Sequence, residues 1–203
     1  MRLRADGWLS GLHRRPSPNC DQRPPGVEVD MLVIHNISLP PGVFAGPGVL
    51  QLFENRLDPA EHPFYAGIAD LRVSAHLWVR RSGALYQFVP LTQRAWHAGL
   101  SQWQGRERCN DFSIGIELEG SDERPFTQAQ YQSLKHLARV LRPAFPSIAV
   151  DRVLGHSDIA PGRKTDPGPC FDWERMRGLW AAALLESAES AAEAMHSKRA
   201  VPG

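Results

Sequence analysis

Two segments of the sequence hold residues that bind metals or move protons, each in constrained surroundings. His35 follows the apolar run Met31 to Ile34, so its imidazole stands at the exit of a strand predicted to be buried. His156 lies in GHSDIAPGRKTDPG, where glycines and prolines prevent regular structure while one histidine, two aspartates and one lysine crowd together. A single histidine is more often structural than functional. A rigid strand end and a polar loop nevertheless suit a metal or catalytic site.

Zinc is the metal that this set of side chains suits. Neutral imidazole nitrogens at about 2.0–2.1 Å and a carboxylate oxygen at about 2.0–2.2 Å hold the ion, and water takes the fourth position. His35, His156 and Asp166 supply such donors, with Asp158 as an alternative to Asp166. The two histidines are far apart in the sequence, so spacing alone does not decide between the two aspartates.

Other hydrolytic sites find less support in the residues. A serine hydrolase of the α/β type requires a GxSxG elbow, which the sequence lacks. The cysteines are odd in number and form no CxxC pair, which predicts buried reduced thiols rather than disulfides or a thiolate zinc site. They are Cys20, Cys109 and Cys170.

The candidate residues need strands to position them, and alternating patterns predict these strands. In FSIGIELEG, apolar residues alternate with Gly115, Glu117 and Glu119, so one face is core and the other carries two carboxylates. SAHLWVRRSGALYQFVP predicts a hairpin with Ser82-Gly83 at its turn.

Three helices are predicted around these strands. A short helix carries Val49, Leu52 and Phe53 on one face. Thr127 and Gln130 form a capping box ahead of a helical apolar pattern that we expect Pro143 to stop. A further helix, capped by Asp172, has an apolar face composed of Trp173, Met176, Trp180 and Leu184.

Composition limits the class of protein. The 203 residues, 42% of them hydrophobic, suit one compact domain with an appendage, and a net charge of +1 does not favour nucleic acid or anionic lipid. With no apolar run long enough for a membrane span or a secretory signal, we expect a cytoplasmic protein. The predicted segments are an N-terminal wrap over 1–26, a domain over 27–182 and an Ala/Glu-rich tail over 183–203.

Several longer motifs resemble one known family, in order and nearly end to end. LVIHNISLPPG, VSAHLWVRRSG, RAWHAG, QGRERCNDFSIGIELEG and GHSDIAPGRKTDPGP resemble the cytoplasmic N-acetyl-anhydromuramyl-L-alanine amidases of the AmpD type. The resemblance implies an α/β (α+β) fold in which a mixed central sheet is flanked by helices, with a zinc site at the sheet's C-terminal edge. It implies one Zn²⁺ per chain on His35, His156 and Asp166, which favours Asp166 over Asp158.

The same resemblance assigns two catalytic residues and four for substrate binding. Glu117 would take a proton from water and pass it to the leaving nitrogen, and Lys164 would help stabilise the oxyanion. For each, the alternative is an ordinary solvated side chain. Substrate contacts are expected from Asn36, Arg72, Trp96 and Arg108. Each of those four could instead be structural, and His76 and His97 are interpreted as packing residues or supports for the ligands.

The expected function is zinc-dependent hydrolysis of the amide between the lactyl group of 1,6-anhydro-N-acetylmuramic acid and L-alanine. The enzyme would be a monomer that recycles cell-wall muropeptides in the cytoplasm, without nucleic acid or membrane, and would affect β-lactamase induction where that circuit exists. One alternative is a lytic amidase that acts on intact peptidoglycan. Another is a catalytically silent peptidoglycan-binding module, against which the complete set of metal donors argues.

Overall fold

A computed structural model describes the backbone of residues 1–199 and the side chains of residues 1–186. Its strands are β1 (His13–Arg14), β2 (Cys20–Gln22), β3 (Met31–Ile37), β4 (Leu77–Val79), β5 (Leu85–Gln87), β6 (Gln93–Ala95), β7 (Gln102–Trp103), β8 (Arg106–Glu107), β9 (Ser113–Glu119) and β10 (Val153–Gly155). Its α-helices are α1 (Gly48–Phe53), α2 (Pro63–Ala66), α3 (Gln128–Ala144), α4 (His156–Ile159) and α5 (Trp173–Arg199). Short 3₁₀ turns occupy Cys109–Asp111 and Val150–Arg152.

One mixed sheet of six strands organises the molecule, in the order β1-β5-β4-β9-β3-β10. The strands β4, β9, β3 and β10 run parallel to one another, whereas β5 pairs antiparallel with β4 through the predicted hairpin. The fold class inferred from the sequence is therefore confirmed. Because parallel strands end at the same edge of a sheet, the residues that follow β3, β9 and β10 meet there.

Side chains alternate between the two faces of the two central strands. Leu32 and Ile34 of β3, with Ile114 and Ile116 of β9, pack in one cluster with the buried sides of α3 and α5. Met31 and Val33 lie on the opposite face of the sheet, where they pack in a second apolar cluster with Ala98, Cys109 and Phe112. The side chains of β9 are buried on both faces, so neither Glu117 nor Glu119 is a solvated surface carboxylate.

Glu119 is used for structure. Its carboxylate accepts hydrogen bonds from the backbone N–H groups of Ala45, at 2.7 Å, and Arg81, at 2.9 Å. These bonds tie two loops to the end of β9. The Glu119 carboxylate is therefore held by two backbone N–H donors, which leaves Glu117 as the other carboxylate predicted on this face of the strand.

The three predicted helices are present, with two corrections, and the further short helix α4 forms in the segment where glycines and prolines were expected to prevent regular structure. The capping box at Thr127 and Gln130 is present, but α3 continues to Ala144, so Pro143 does not stop it. Proline lacks the N–H for one helical bond and crowds the carbonyl four residues before it, and α3 ends one residue after Pro143. Asp172 caps α5 by accepting from the Arg175 N–H at 2.9 Å.

The second correction concerns the buried face of α5. Leu184 is 43% exposed, and Ala183 is buried instead, in line with Met176 and Trp180. At 100° per residue, Met176, Trp180 and Ala183 lie within about 60° of one another, whereas Leu184 lies at the edge of this stripe beside Trp173, which is itself only partly buried.

The N-terminal segment packs onto the domain without a helix, as its prolines predict, and contributes β1 and β2. Arg23 is central to this contact, because its guanidinium donates to the backbone carbonyls of Asn110, Asp111 and Ser113. The helix α5 continues to Arg199, through part of the predicted tail. The division of the sequence into an N-terminal wrap, a domain and a tail, with boundaries after residues 26 and 182, stays a prediction.

Candidate metal centre and active site

Strand pairing brings the two candidate histidines together. His35 lies near the end of β3, and His156 is the first residue of α4, immediately after β10. Because β10 pairs with β3 in parallel, with Gly155 opposite Ile34, the two histidines follow neighbouring strands at one edge of the sheet. The loop after α4 then returns Asp166 to the same place, where the Ser157 N–H donates to its carbonyl at 3.0 Å.

The three candidate ligands converge on one point through one atom each. His35 Nδ1 lies 3.0 Å from His156 Nδ1 and 3.0 Å from Asp166 Oδ2, and His156 Nδ1 lies 3.2 Å from the same oxygen. A tetrahedral zinc ion with bonds of about 2.0–2.1 Å separates its ligand atoms by roughly 3.3–3.4 Å. The arrangement therefore fits a tetrahedral cation with one vertex left over, and no other His, Cys, Asp and Glu side chains among residues 1–186 form a comparable group.

Asp158, the alternative carboxylate, is engaged elsewhere. Its Oδ2 accepts the Gly155 backbone N–H at 2.8 Å and so caps the first turn of α4. This is the usual role of a carboxylate at a helix start. The geometry thus gathers Asp166 with the two histidines and assigns Asp158 to the helix.

The protonation states suit metal binding. Burial lowers the pKa of His35 to about 4, against a partial opposing effect of Asp166, so the ring is neutral at pH 7 and has a free lone pair. Burial alone would raise the pKa of Asp166, but its contacts with the imidazoles of His156 and His35 hold it well below its usual range. The cluster therefore offers the neutral imidazole of His35 and the carboxylate of Asp166 beside the ring of His156.

A backbone carbonyl orients His156. Its Nε2 lies 3.0 Å from the carbonyl oxygen of Ala98, which can only accept, so Nε2 carries the proton and Nδ1 presents its lone pair to the cluster. Arg163 donates to the carbonyl oxygens of Ala98, at 2.7 Å, and Leu100, at 2.5 Å, and so holds this loop in place.

Glu117 stands beside the cluster on the next strand. It is the register partner of His35 in the β3–β9 ladder, so both side chains rise from the same face of the sheet. Glu117 is 8% exposed, and its Oε2 has no hydrogen-bond partner among the described residues. Burial, with a further contribution from Asp166, raises its pKa well above the ordinary value, whereas Lys164 acts in the opposite direction.

These residues share a cavity of about 230 Å³. Polar groups line it around the donor cluster, and apolar side chains form another part of its wall. The lining consists of Asn36, Ile37, Phe53, Leu71, Val73, Ser74, Trp96, His97, Glu117, His156, Lys164 and Asp166. The five residues predicted to bind metal or act in catalysis are thus gathered at one site, with four of them in this lining and His35 in contact with it.

Two of the four predicted substrate-binding residues line this cavity. Asn36 donates to Asp122 at 2.6 Å and to the Pro167 carbonyl at 3.1 Å. Trp96 donates from Nε1 to Asp21 at 3.2 Å and is half-buried. Asn36 and Trp96 are therefore each held by hydrogen bonds to the protein, and each also forms part of the cavity wall.

The two predicted arginines lie outside that lining. Arg72 donates to the carbonyls of its own neighbours Ala69 and Leu71. Arg108 has a left-handed backbone, with φ of 60°, and its guanidinium lies 3.4 Å from the carboxylate of Asp111, three residues further along the chain. Arg108 instead lines an open cavity of about 470 Å³ together with Arg163. The structure does not bring either arginine to the donor cluster.

Of the two interpretations of His97, packing residue or support for a ligand, the structure favours the second. The Nδ1 of His97 lies 2.9 Å from His35 Nε2, and the ring is almost completely buried. A signal was present in Gly115, since a lone glycine inside a strand pattern marks a close approach by another group. A Cβ at Gly115 would lie 2.4 Å from the His97 ring.

Comparisons with known proteins agree with this geometry. Residues 25–169 match the family described as N-acetylmuramoyl-L-alanine amidase. The chain is similar to the 1,6-anhydro-N-acetylmuramyl-L-alanine amidase AmpD of Escherichia coli (strain K12), with 58% identity over 87% of this chain and 96% of that protein.

Solved structures show the same relationship. A crystal structure of a selenomethionine AmpD derivative superimposes with a TM-score of 0.85 at 55% identity, covering 88% of this chain and 99% of that one. The Escherichia coli amidase AmiD, in complex with anhydro-N-acetylmuramic acid-L-Ala-D-γ-Glu-L-Lys, gives a TM-score of 0.55 at 30% identity, covering 85% of this chain and 60% of that one. Within residues 1–199, no helix combines the length and apolar character needed to cross a bilayer.

Proposed function

The chain belongs to the N-acetylmuramoyl-L-alanine amidase family, and from this premise we propose that it hydrolyses anhydro-muropeptides with a zinc ion as cofactor. The bond cleaved joins the lactyl group of 1,6-anhydro-N-acetylmuramic acid to L-alanine, as the name of its 58% identical relative indicates. The proposal extends to a monomer that works in the cytoplasm in cell-wall recycling, with an effect on β-lactamase induction where that circuit exists. The net charge of +1 agrees with a small-molecule substrate rather than nucleic acid.

One observation carries the proposal: three metal donors lie within 3.2 Å of one another beside the buried Glu117, whose Oε2 has no hydrogen-bond partner among residues 1–186. An amide resists hydrolysis because water is a weak nucleophile and the tetrahedral oxyanion is costly to form. A site for this reaction needs an electrophilic centre, a base and a second positive charge. A peptidoglycan-binding module without activity needs none of these.

His35, His156 and Asp166 would hold the zinc ion, each through the atom that faces the cluster. When bound, zinc supplies Lewis acidity, which makes water a better nucleophile and polarises the carbonyl of the scissile amide. The remaining groups of the site are supplied by this chain.

Glu117 is the general base in this proposal. Burial raises the pKa of Glu117, and a carboxylate with a raised pKa is a stronger base toward a proton of water. It takes a proton from the water that attacks the lactyl carbonyl carbon. It then delivers that proton to the alanine nitrogen as the C–N bond breaks. Water thus contributes its hydroxyl to the lactyl carboxylate and its proton to the free amine.

Lys164 stabilises the negative charge that develops on the carbonyl oxygen, and we expect Lys164→Met to lower kcat by about 10²–10³-fold with little change in KM. Lys164 lines the cavity with Glu117 and Asp166. Its charge attracts an oxyanion far more strongly than a neutral amide carbonyl, so the loss falls mainly on kcat. Steady-state hydrolysis of an anhydro-muropeptide measures the effect. The control is Lys135→Met, which removes the same charge from α3. Equal rates in the two variants would contradict the role.

Substrate choice tests the cellular role. We expect faster release of L-alanine peptides from soluble anhydro-muropeptide than from intact sacculi, because the cavity of about 230 Å³ suits one sugar and its lactyl amide. Chromatography of the products from both substrates at equal muramyl content makes the comparison. Faster cleavage of sacculi would favour the alternative, a lytic amidase that acts on intact peptidoglycan.

A further inference from the structure

We propose that His97 is a positioning residue that fixes the tautomer of His35, so that the lone pair of Nδ1 always faces the metal position. The inference rests on the proposed function, because it assigns His35 as a zinc ligand. It concerns which ring nitrogen of His35 carries the proton, a property that distance alone does not determine.

Ser113, His97 and His35 form a series of hydrogen bonds that starts at a backbone carbonyl, and the direction of each bond follows from that carbonyl. Ser113 Oγ lies 2.6 Å from the backbone carbonyl oxygen of Cys109, which can only accept, so the hydroxyl proton of Ser113 is committed there. The same Oγ lies 3.1 Å from His97 Nε2. Having no second proton to donate, Ser113 must accept, and His97 therefore carries its proton on Nε2.

The next hydrogen bond in the series joins His97 to His35, the candidate zinc ligand. A neutral imidazole has a single N–H, so His97 Nδ1 is an acceptor, and it lies 2.9 Å from His35 Nε2. His35 must donate from Nε2, which leaves its Nδ1 unprotonated. That nitrogen is the one that lies 3.0 Å from His156 Nδ1 and 3.0 Å from Asp166 Oδ2.

The fold holds His97 rigidly in this position. The Oδ1 of Asn110 accepts the backbone N–H of His97 at 3.1 Å and that of Ala98 at 2.8 Å. Below the ring, Ser113, Gly115 and Glu117 occupy successive positions on one face of β9. Ser113 supplies the acceptor, and Gly115 supplies the space, because any Cβ there would collide with the imidazole.

The two histidine ligands therefore use the same arrangement through different partners. His156 donates from Nε2 to the Ala98 carbonyl, and His35 donates from Nε2 to His97. Hydrogen bonds on the outer nitrogen of a ligand fix the ring and raise its basicity, and their loss typically costs about 10–100-fold in metal affinity or activity.

A matched pair of variants tests the inference, since asparagine and leucine have nearly the same shape. In His97→Asn, the amide oxygen can take the place of Nδ1 as an acceptor, whereas His97→Leu has no acceptor. We expect His97→Leu to weaken zinc binding by about 10–100-fold and His97→Asn to retain most of the affinity. Competition with a chromophoric chelator measures the zinc dissociation constant without substrate.

Nitrogen NMR gives a second readout. In the metal-free protein, the ¹⁵N shifts of His35 should report the Nε2–H form, and His97→Leu should introduce the Nδ1–H form. Ser113→Ala, a smaller change, should introduce that form too, because it releases the proton of His97 from Nε2. Equal affinity losses in both His97 variants, or an Nδ1–H form of His35 in the unaltered protein, would overturn the inference.

These measurements separate the inference from the proposed function. If the protein binds zinc tightly, with the predicted difference between the variants, but fails to cleave muropeptides, only the proposed function fails. If it cleaves muropeptides and His97→Leu binds zinc as tightly as His97→Asn, the amidase stands and His97 merely fills space.

Discussion

Glu117→Gln is expected to lower kcat for anhydro-muropeptide hydrolysis by about 10²–10⁴-fold while the zinc content stays at about one ion per chain. The amide has the shape of the carboxylate and leaves the donor cluster intact, but it cannot take a proton from water. Because the side chain is 8% exposed and Oε2 has no partner among the described residues, the substitution removes a buried charge and no hydrogen bond to that oxygen. The free energy of unfolding should therefore be unchanged or slightly higher.

The matched control is Glu119→Gln, two positions along the same face of β9. Glu119 is also buried, yet its carboxylate accepts the backbone N–H groups of Ala45 and Arg81. We expect this variant to lose about 1–3 kcal/mol of unfolding free energy, since one backbone donor loses a charged acceptor. Urea denaturation and steady-state kinetics on both variants separate the two roles. A Glu117→Gln variant with more than a tenth of normal kcat would exclude Glu117 as the base.

Loss of the metal is the second large effect, and Asp166→Asn should produce it. The variant keeps the size of the side chain but removes the negative charge that lies between His35 and His156. We expect zinc affinity to fall by more than the roughly 10–100-fold that loss of a ligand's hydrogen-bond partner costs, with hydrolysis lost in proportion. A chelator should likewise remove zinc and activity together from the unaltered protein.

Asp158→Asn is the control, because Asp158 is the other carboxylate of the same loop. The asparagine oxygen can still accept the Gly155 N–H, so we expect a small loss of stability, about 0.3–1 kcal/mol from the lost charge at the helix start, and normal zinc content. Metal analysis after gel filtration, with circular dichroism to check folding, measures both variants. The ligand assignment would be wrong if Asp158→Asn lost the metal and Asp166→Asn kept it.

The metal-free protein should remain folded in these experiments. The donor cluster lies at the sheet edge, whereas the main apolar cluster lies between the other face of the sheet and the helices α3 and α5. Removal of the ion therefore leaves the buried apolar surface that dominates stability in place. Activity lost on chelation should return when zinc is added.

Local sequence determined the elements and the chemistry available to them. The apolar run before His35 predicted a buried strand, the Ser82-Gly83 turn predicted a hairpin, and Thr127 with Gln130 predicted the start of α3. Each of these depends on neighbours a few residues apart, where periodicity and capping act directly. The motifs around His35, Glu117 and His156 also carried the resemblance to the amidase family.

Tertiary structure decided which of these side chains meet. From the residues alone, Asp158 and Asp166 were equivalent candidates, and the buried stripe of α5 was misplaced by one residue at Leu184. His97 had no local signal beyond the glycine that makes room for it. The parallel pairing of β10 with β3 and of β3 with β9 brings distant segments to one sheet edge. Such pairing depends on packing across the whole core, which no short stretch of sequence contains.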